Sequence, residues 1–328
     1  MTGLRVERST PLAQLQDAGR FGCRHIGVTQ GGALDWVSMS WANALLGNSL
    51  DAAVIEVALG GLALRVEQDA WLAIAGADLA ATLDGQVVQP WQAFLVRPRQ
   101  LLEFHRPLTG IRAYLAAPGG FEAPVALGSR STVTRDGLGG LDGKGNALDV
   151  GDRLRFRAAG ATPVRITTHN PPDIKTAEPL QVVLGAQIAG FSGQSLFDFF
   201  NHPWEVDVRA DRMGMRMLGP RLSYLGEGLI SEGIPLGAIQ VPPDGQPIIL
   251  LNDRQTIGGY PRLGALTPAA IARLAQAQSG ERLRFIPALQ ETAEREHLAL
   301  LDRLERLRRE SAYSGADWNR PRWIAPRR

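Results

Sequence analysis

Two hexapeptides 129 residues apart carry one pattern: Gly151-Asp152-Arg153-Leu154-Arg155-Phe156 returns as Gly280-Glu281-Arg282-Leu283-Arg284-Phe285. Two further blocks precede each of them in the same order. Arg20-Phe21-Gly22-Cys23-Arg24-His25-Ile26-Gly27 returns as Arg212-Met213-Gly214-Met215-Arg216-Met217-Leu218-Gly219, and Ser129-Arg130-Ser131-Thr132 as Asp253-Arg254-Gln255-Thr256. A glycine pair follows each member of the last couple (139–140 and 258–259). Three ordered blocks exceed chance similarity among glycine-rich β segments. They predict two related lobes rather than a solenoid, which needs three or more units.

Working outward from the blocks, Arg153–Phe156 and Leu62–Val66 alternate with period two. Short apolar runs such as Val54–Ala58, Trp71–Ala75, Ile111–Ala116, Gln181–Leu184 and Ile248–Leu251 recur between glycines and prolines. Period two bounded by turn residues is a strand signature. The predicted fold class is therefore mainly β (α+β), with β-barrel or sandwich lobes and a few helices. A first lobe is expected over 1–157, a linker over 158–178 (it holds Asn170-Pro171-Pro172), a second lobe over 179–290, and a helical and irregular tail over 291–328. Asp35 caps one predicted helix, which runs to Leu46. Thr267-Pro268 opens another, to about Gln278, with Thr as cap and Pro in the first turn. A third spans about Glu291 to Glu310, with Leu298, Leu301 and Leu304 on one face. It suits either a cover for its own lobe or a contact with another protein chain, such as a second copy.

The 328 residues suffice for about two domains. Hydrophobic residues at 45% and charged residues at 21% are ordinary globular values. The net charge of +2 offers no basic field for nucleic acid. Residues 291–328 hold nine Arg against seven acids, so the tail accounts for all of that excess. The single cysteine, Cys23, excludes an intrachain disulfide and a cysteine-based zinc cage. The first residues form no apolar signal-peptide core, and no run of 18 apolar residues exists, so a cytoplasmic protein without a membrane span is expected.

Leu138 to Gly145 (Leu-Gly-Gly-Leu-Asp-Gly-Lys-Gly) misses two of the four fixed positions of a Walker phosphate loop. The five His are dispersed and form no metal-ligand spacing, so no metal is expected. Cys23 lies near Arg20 and Arg24, but its counterpart in the repeat is Met215, which favours packing over a reactive thiolate. The arginine–acid clusters are the stronger candidates. Guanidinium holds an anion bidentately, and a carboxylate takes or gives a proton. On that chemistry Asp211, Arg212, Glu232, Asp253 and Arg254 are the candidate catalytic residues. Asp17, Arg20, Arg130, Arg216, Gln240, Gln255 and Thr256 are the candidate substrate-binding residues.

The chain resembles the allophanate hydrolase subunit 2 family, also called the biotin-dependent carboxyltransferase family, which includes component C of bacterial 5-oxoprolinase. The resemblance rests on Gln16-Asp17-x-Gly19-Arg20, Gly31-Gly32-Ala33-Leu34-Asp35, Glu56, Leu127-Gly128-Ser129-Arg130-Ser131-Thr132, Asp211-Arg212-Met213-Gly214, Ser231-Glu232-Gly233-Ile234 and Asp253-Arg254-Gln255-Thr256-x-Gly258-Gly259-Tyr260. It covers about residues 4 to 290; Gly185-Ala186-Gln187 departs from the family's Gly-Pro-Gln. The resemblance implies two cyclophilin-like β-barrel lobes. It also implies partners: 5-oxoprolinase component B (allophanate hydrolase subunit 1-like) and component A, which together with this kind of chain open 5-oxoproline to glutamate with ATP and Mg. Two other roles exist in the family. One is carboxyl transfer to urea or a related amide, with biotin carried on another protein, since neither Lys144 nor Lys175 is flanked by Met. The other is non-enzymatic regulation through a kinase-inhibitor-like partner.

Overall fold

The computed structural model describes residues 3–157, 171–175, 177–226 and 229–316, with side chains through residue 312. Residues 158–170 and 176 of the expected linker fall outside these residues, as does the end of the tail.

Two sheets enclose the core of the first half. One runs in the order Arg153–Arg155, Gly3–Arg8, Ala63–Val66, Leu101–Glu103, Thr82–Leu83, Gln86–Val87. The other runs Ala13–Gln16, Val54–Ala58, Thr109–Ala116, Ala70–Asp78, Gln92–Val96. The chain passes from one sheet to the other between successive strands eight times, as at 8 to 13, 58 to 63, 78 to 82 and 96 to 101. The corner at 58–63 needs left-handed backbone at Leu59, Gly60 and Gly61. At Gly60 any Cβ would sit 2.4 Å from the His105 carbonyl oxygen, so only glycine fits. Leu4, Leu15, Ile55, Leu64, Leu72, Leu102 and Phe104 meet between the sheets.

The second half is one eight-stranded sheet in the order Arg282–Leu283, Trp204–Val206, Gly214–Leu218, Ile248–Leu250, Ala238–Gln240, Arg262–Leu266, Leu180–Leu184, Phe285–Ala288. Its two edge strands are consecutive in the chain and only Arg284 separates them. The sheet therefore curls until its edges nearly meet, forming a barrel that hides both from edge pairing. Leu180–Leu184 runs parallel to Phe285–Ala288. Phe199 stacks on Phe285 at 4.9 Å inside a cluster that includes Trp204, Met217 and Ile249.

The structure divides the repeat. The Gly-Asp/Glu-Arg-Leu-Arg-Phe blocks play one role, since each supplies an edge strand pairing antiparallel with its neighbour (Leu154 opposite Leu4, Leu283 opposite Trp204). The Arg-x-Gly blocks do not. Residues 20–27 form a loop with a single 3-10 turn at Arg24–Ile26, whereas 214–218 is a strand. Identical spacing of Arg and Gly leaves this open, because the neighbouring strands decide whether a glycine-rich segment pairs.

Four helices are present among the described residues. Helix α1 (Trp36–Leu45) starts where expected, with the Asp35 side chain accepting from Ser38 N at 2.9 Å. Helix α2 (Gly193–Asn201) was not expected; the Ser192 side chain caps it at Ser195 N, and Phe199 anchors it. Helix α3 (Pro268–Leu274) is shorter than expected, and Thr267 caps it. Helix α4 (Gln290–Ala316) runs on beyond the expected end at 310. It leaves the second barrel and returns to the first half, where Leu304 and Leu307 pack with Trp41, Leu45 and Tyr114. Arg303 lies over the Trp41 ring at 4.8 Å. Helix α1 is thus enclosed between the outer face of the five-stranded sheet and α4.

Candidate functional site

The predicted site residues fall into three groups: Arg212 and Asp253 lie in the joint between the two halves, most of the others are held within one half, and Glu232 and Thr256 reach an open groove. Arg212 reaches out of the second barrel into the first half. Its Nη1 donates to Glu56 Oε1 at 2.5 Å, its Nη2 to the Gly32 carbonyl at 2.6 Å, and its Nε to Asp253 Oδ2 at 3.0 Å. Burial disfavours its charge, but Asp253 and Glu56 outweigh that and hold its pKa above the ordinary value. Glu56 also accepts from Leu34 N at 2.9 Å and from the Tyr114 hydroxyl at 2.8 Å. The Tyr114 oxygen in turn accepts from Asp35 N. Gln276 at the end of α3 donates to Asp35 Oδ2 at 2.7 Å and accepts from Ile111 N and Arg112 N. Each buried charge here has partners, as burial demands. Arg212 has spent its donors on protein acceptors, so its geometry is that of a clamp between the halves.

Other predicted residues are also taken up by the scaffold. Asp17 accepts from Gly19 N, Arg130 N and the hydroxyls of Ser129 and Ser131. Arg20 is fully buried on the carbonyls of Ala126 and Ser131, and Arg130 donates to that of Ala123. Asp211 closes its own turn on Met213 N and Gly214 N. Arg216 pairs with Asp244 at the surface, and Gln240 is buried beside the Tyr260 carbonyl.

Glu232 and Thr256 are the predicted residues that reach an open groove. Two short strands, Glu232–Gly233 and Ile257–Gly258, pair into a hairpin-like crest, and cavities open on either side. One, of about 770 Å³, is lined by Arg24, His25, Ile26, Pro235, Thr256 and Ile257. The other, of about 200 Å³, is lined by Gly185, Gln187, Glu232, Pro235 and Arg262. They share Pro235 as a wall and so adjoin, and together they are called the groove. In the smaller part Glu232 Oε1 accepts from Arg262 Nη2 and from Gln187 Nε2, both at 2.6 Å. Gln187 Oε1 accepts from Arg262 N at 2.6 Å, which fixes the amide's orientation. Glu232 keeps 46% of its side-chain surface in solvent and is the accessible acid of the groove.

In the larger part, Arg24 crosses from the first half. Its Nη2 donates to the carbonyls of Ile234 (2.9 Å), Gln255 (3.1 Å) and Thr256 (3.0 Å), while its Nη1 has no partner among the described residues. Arg254 donates to the same Ile234 carbonyl at 3.1 Å, to Leu251 O and to Gln30 Oε1. Among the described residues neither guanidinium has a carboxylate partner. Burial lowers the pKa of Arg254, and the positive charge of Arg24 lowers it further; burial lowers that of Arg24. Arg24 lines this wall and Arg254 lies buried behind it, 2% exposed; the two positive charges without counter-charge make the wall attractive to an anion. Sequence reasoning passed over Arg24, Gln187 and Arg262. Gln187 lies in the Gly-Ala-Gln segment already noted, but Arg24 and Arg262 carried no signal beyond membership of repeats and strands.

This two-part architecture is that of the carboxyltransferase-domain family, subdomains A and B, whose model matches residues 26–287. The chain belongs to that family. It is 34% identical to component C of the 5-oxoprolinase of Escherichia coli over 88% of this chain and 93% of that one, and 35% identical to its Haemophilus influenzae namesake over 90% and 95%. It is also 28% identical to the urea amidolyase of Saccharomyces cerevisiae, covering 89% of this chain and 17% of that one. Among solved structures, TTHA0988 matches with a TM-score of 0.79 at 34% identity over 87% of this chain. The present chain spans 56% of the length of that protein.

Proposed function

We propose that the chain is component C of an ATP-dependent 5-oxoprolinase, and that it binds 5-oxoproline in the groove between Arg24 and Arg262. The observation that carries this reading is the Arg24 guanidinium on the groove wall, with the buried Arg254 behind it, neither with a carboxylate partner among the described residues. 5-Oxoproline brings a carboxylate to meet Arg24, whereas urea is neutral. Identity of 34% and 35% to two C components over 93% and 95% of their length supports it.

With the carboxylate held near Arg24, the lactam lies toward Glu232. Negative charge developing on the lactam oxygen faces Arg262, which stabilises it. Glu232 takes or gives the proton, and Gln187 holds it in place. ATP with Mg, bound by the complex, supplies the driving force. The glycine loop of this chain packs closely on a neighbouring segment: a Cβ at Gly139 would lie 2.0 Å from the Ser131 carbonyl oxygen. Components B and A of the 5-oxoprolinase complete the assembly in the cytoplasm. Two cyclophilin-like lobes remain the family expectation for the fold.

The urea amidolyase relatives favour a second reading, a carboxyltransferase component acting on urea or a related amide with biotin delivered by another protein. The two are separated by reconstitution with components A and B. 5-Oxoproline-stimulated ATP hydrolysis that requires all three proteins is expected. No stimulation by the complete set overturns the first reading.

A further inference from the structure

Beside the groove, the fold leaves a set of apolar side chains uncovered. The crest pairs Glu232–Gly233 with Ile257–Gly258, and a ribbon of two strands has no third strand over which to bury its side chains. Ile257 on the crest is exposed, and so is Ile26, which lines the same cavity. Past Gly258 the chain enters a third cavity, of about 590 Å³, lined by Tyr224, Leu225, Leu229, Pro242, Tyr260 and Pro261. Leu225 is 76% exposed, and Ile230, between Leu229 and the crest, is 91% exposed. The two arms of the crest stay together here: a Cβ on Gly259 would stand 3.3 Å from Ser231 Oγ and 3.5 Å from the Leu229 carbonyl oxygen. Tyr224 is set edge-on against Phe191 at 5.1 Å, which anchors the cavity wall.

We propose that the crest and this third cavity are the docking surface for a second protein of the same assembly, which lays an extended, mainly apolar segment along Tyr224 and Tyr260 and so covers the groove. The inference rests on the reading of the chain as a component of the 5-oxoprolinase. Apolar side chains exposed together mark a surface that another protein covers. Rings and prolines lining an open trough suit an extended segment. Arg221 is the one charged residue in that lining, so the segment is apolar rather than strongly charged. Two relatives identify the occupant as a companion chain. The present chain spans 56% of TTHA0988, so in that protein the fold is continuous with further polypeptide. It spans 93% and 95% of the two 5-oxoprolinase relatives, which have no room for such a stretch and are named as subunits. What TTHA0988 carries in its own chain, these proteins recruit on another, and that calls for an interface. With the segment in place, Glu232 and Arg262 lose solvent, which strengthens their interactions with a substrate.

The test uses the full chain with 5-oxoprolinase components A and B, each titrated in turn by calorimetry. One of the two is expected to bind the parent chain. Leu225→Asp combined with Ile230→Asp is expected to weaken that binding by about 30-fold or more. Both residues are exposed, so the melting temperature is expected to stay within about 1 °C; Ile230→Asp alone carries the test should the pair fail to fold. Val87→Asp, at an exposed apolar residue of the first half, is expected to leave binding unchanged. In the reconstituted enzyme the double variant is expected to lose 5-oxoproline-stimulated ATP hydrolysis at low partner concentration and to regain it in excess partner. Glu232→Gln is expected to bind the partner normally and to gain nothing from excess. Binding of neither component, or binding undiminished in the double variant, overturns the proposal. So does self-association of the chain alone that the double variant abolishes, since the crest then faces a second copy. A complex that depends on Leu225 and Ile230 but shows no 5-oxoproline-stimulated hydrolysis supports the docking surface and overturns the activity reading instead.

Discussion

Arg212 and Glu232 show how differently two charged residues from one candidate set are used. Arg212 is enclosed by Glu56, Asp253 and the Gly32 carbonyl. Arg212→Ala leaves two buried carboxylates without their counter-charge and is expected to cost about 3–5 kcal/mol of stability, read by urea unfolding. Arg212→Lys does not repair it, because a point ammonium cannot serve three separated acceptors. Glu232 is open to solvent, and its contacts are confined to the groove. Glu232→Gln is expected to leave the melting temperature within about 1 °C while reducing the coupled ATP hydrolysis of the reconstituted complex by about 100-fold. A large stability loss in Glu232→Gln with activity retained would assign it to the scaffold instead. Both residues stood in the sequence as an acid or base beside glycine; burial and partners, which no local pattern encodes, separate them.

Among the elements, α1 and α4 depend on one another. Leu304 is fully buried against α1, whereas Leu298, placed by periodicity on the same apolar face, is 64% exposed. The face was legible, but the length over which another helix covers it was not. Leu304→Ala is expected to cost about 2–5 kcal/mol in chemical denaturation, and Leu298→Ala nearly nothing. The cap of α1 adds a pH dependence. Burial raises the pKa of Asp35 despite its bonds from Ser38 and Gln276. As pH rises above the unfolded value of 3.8, the unfolded chain releases this proton first, so the contribution of Asp35 to stability declines until the folded pKa is passed. The unfolding free energy of Asp35→Asn, measured from pH 3.5 to 7, is expected to lack that decline when compared with the parent chain. Identical slopes in the two proteins would remove Asp35 as its source. The capping role was readable from Asp35 and the apolar spacing behind it, but its burial under α3 and Gln276 was not.

For the molecule as a whole, the two halves exchange arginines: Arg212 enters the first, and Arg24 grips the carbonyls of the second. Asn252 and Gln276 add hydrogen bonds across the same joint. This coupling is expected to give one calorimetric transition in the parent chain. Arg212→Ala combined with Gln276→Ala is expected to split it into two, since each half keeps its own apolar core. A single transition in the double variant would place the coupling elsewhere.

The sequence alone determined the β-rich character, the repeated edge strand, the caps of α1 and α3, and family membership. Each of these is written in local periodicity or in contiguous residues. The tertiary structure decided which repeat blocks are equivalent, where α4 returns, and which charged residues face solvent. Those outcomes depend on contacts between residues far apart in the chain, as when Arg212 finds Glu56 or Arg262 finds Glu232 and Gln187. A buried guanidinium and an accessible one look the same in sequence, and only the positions of their acceptors tell a clamp from a candidate site.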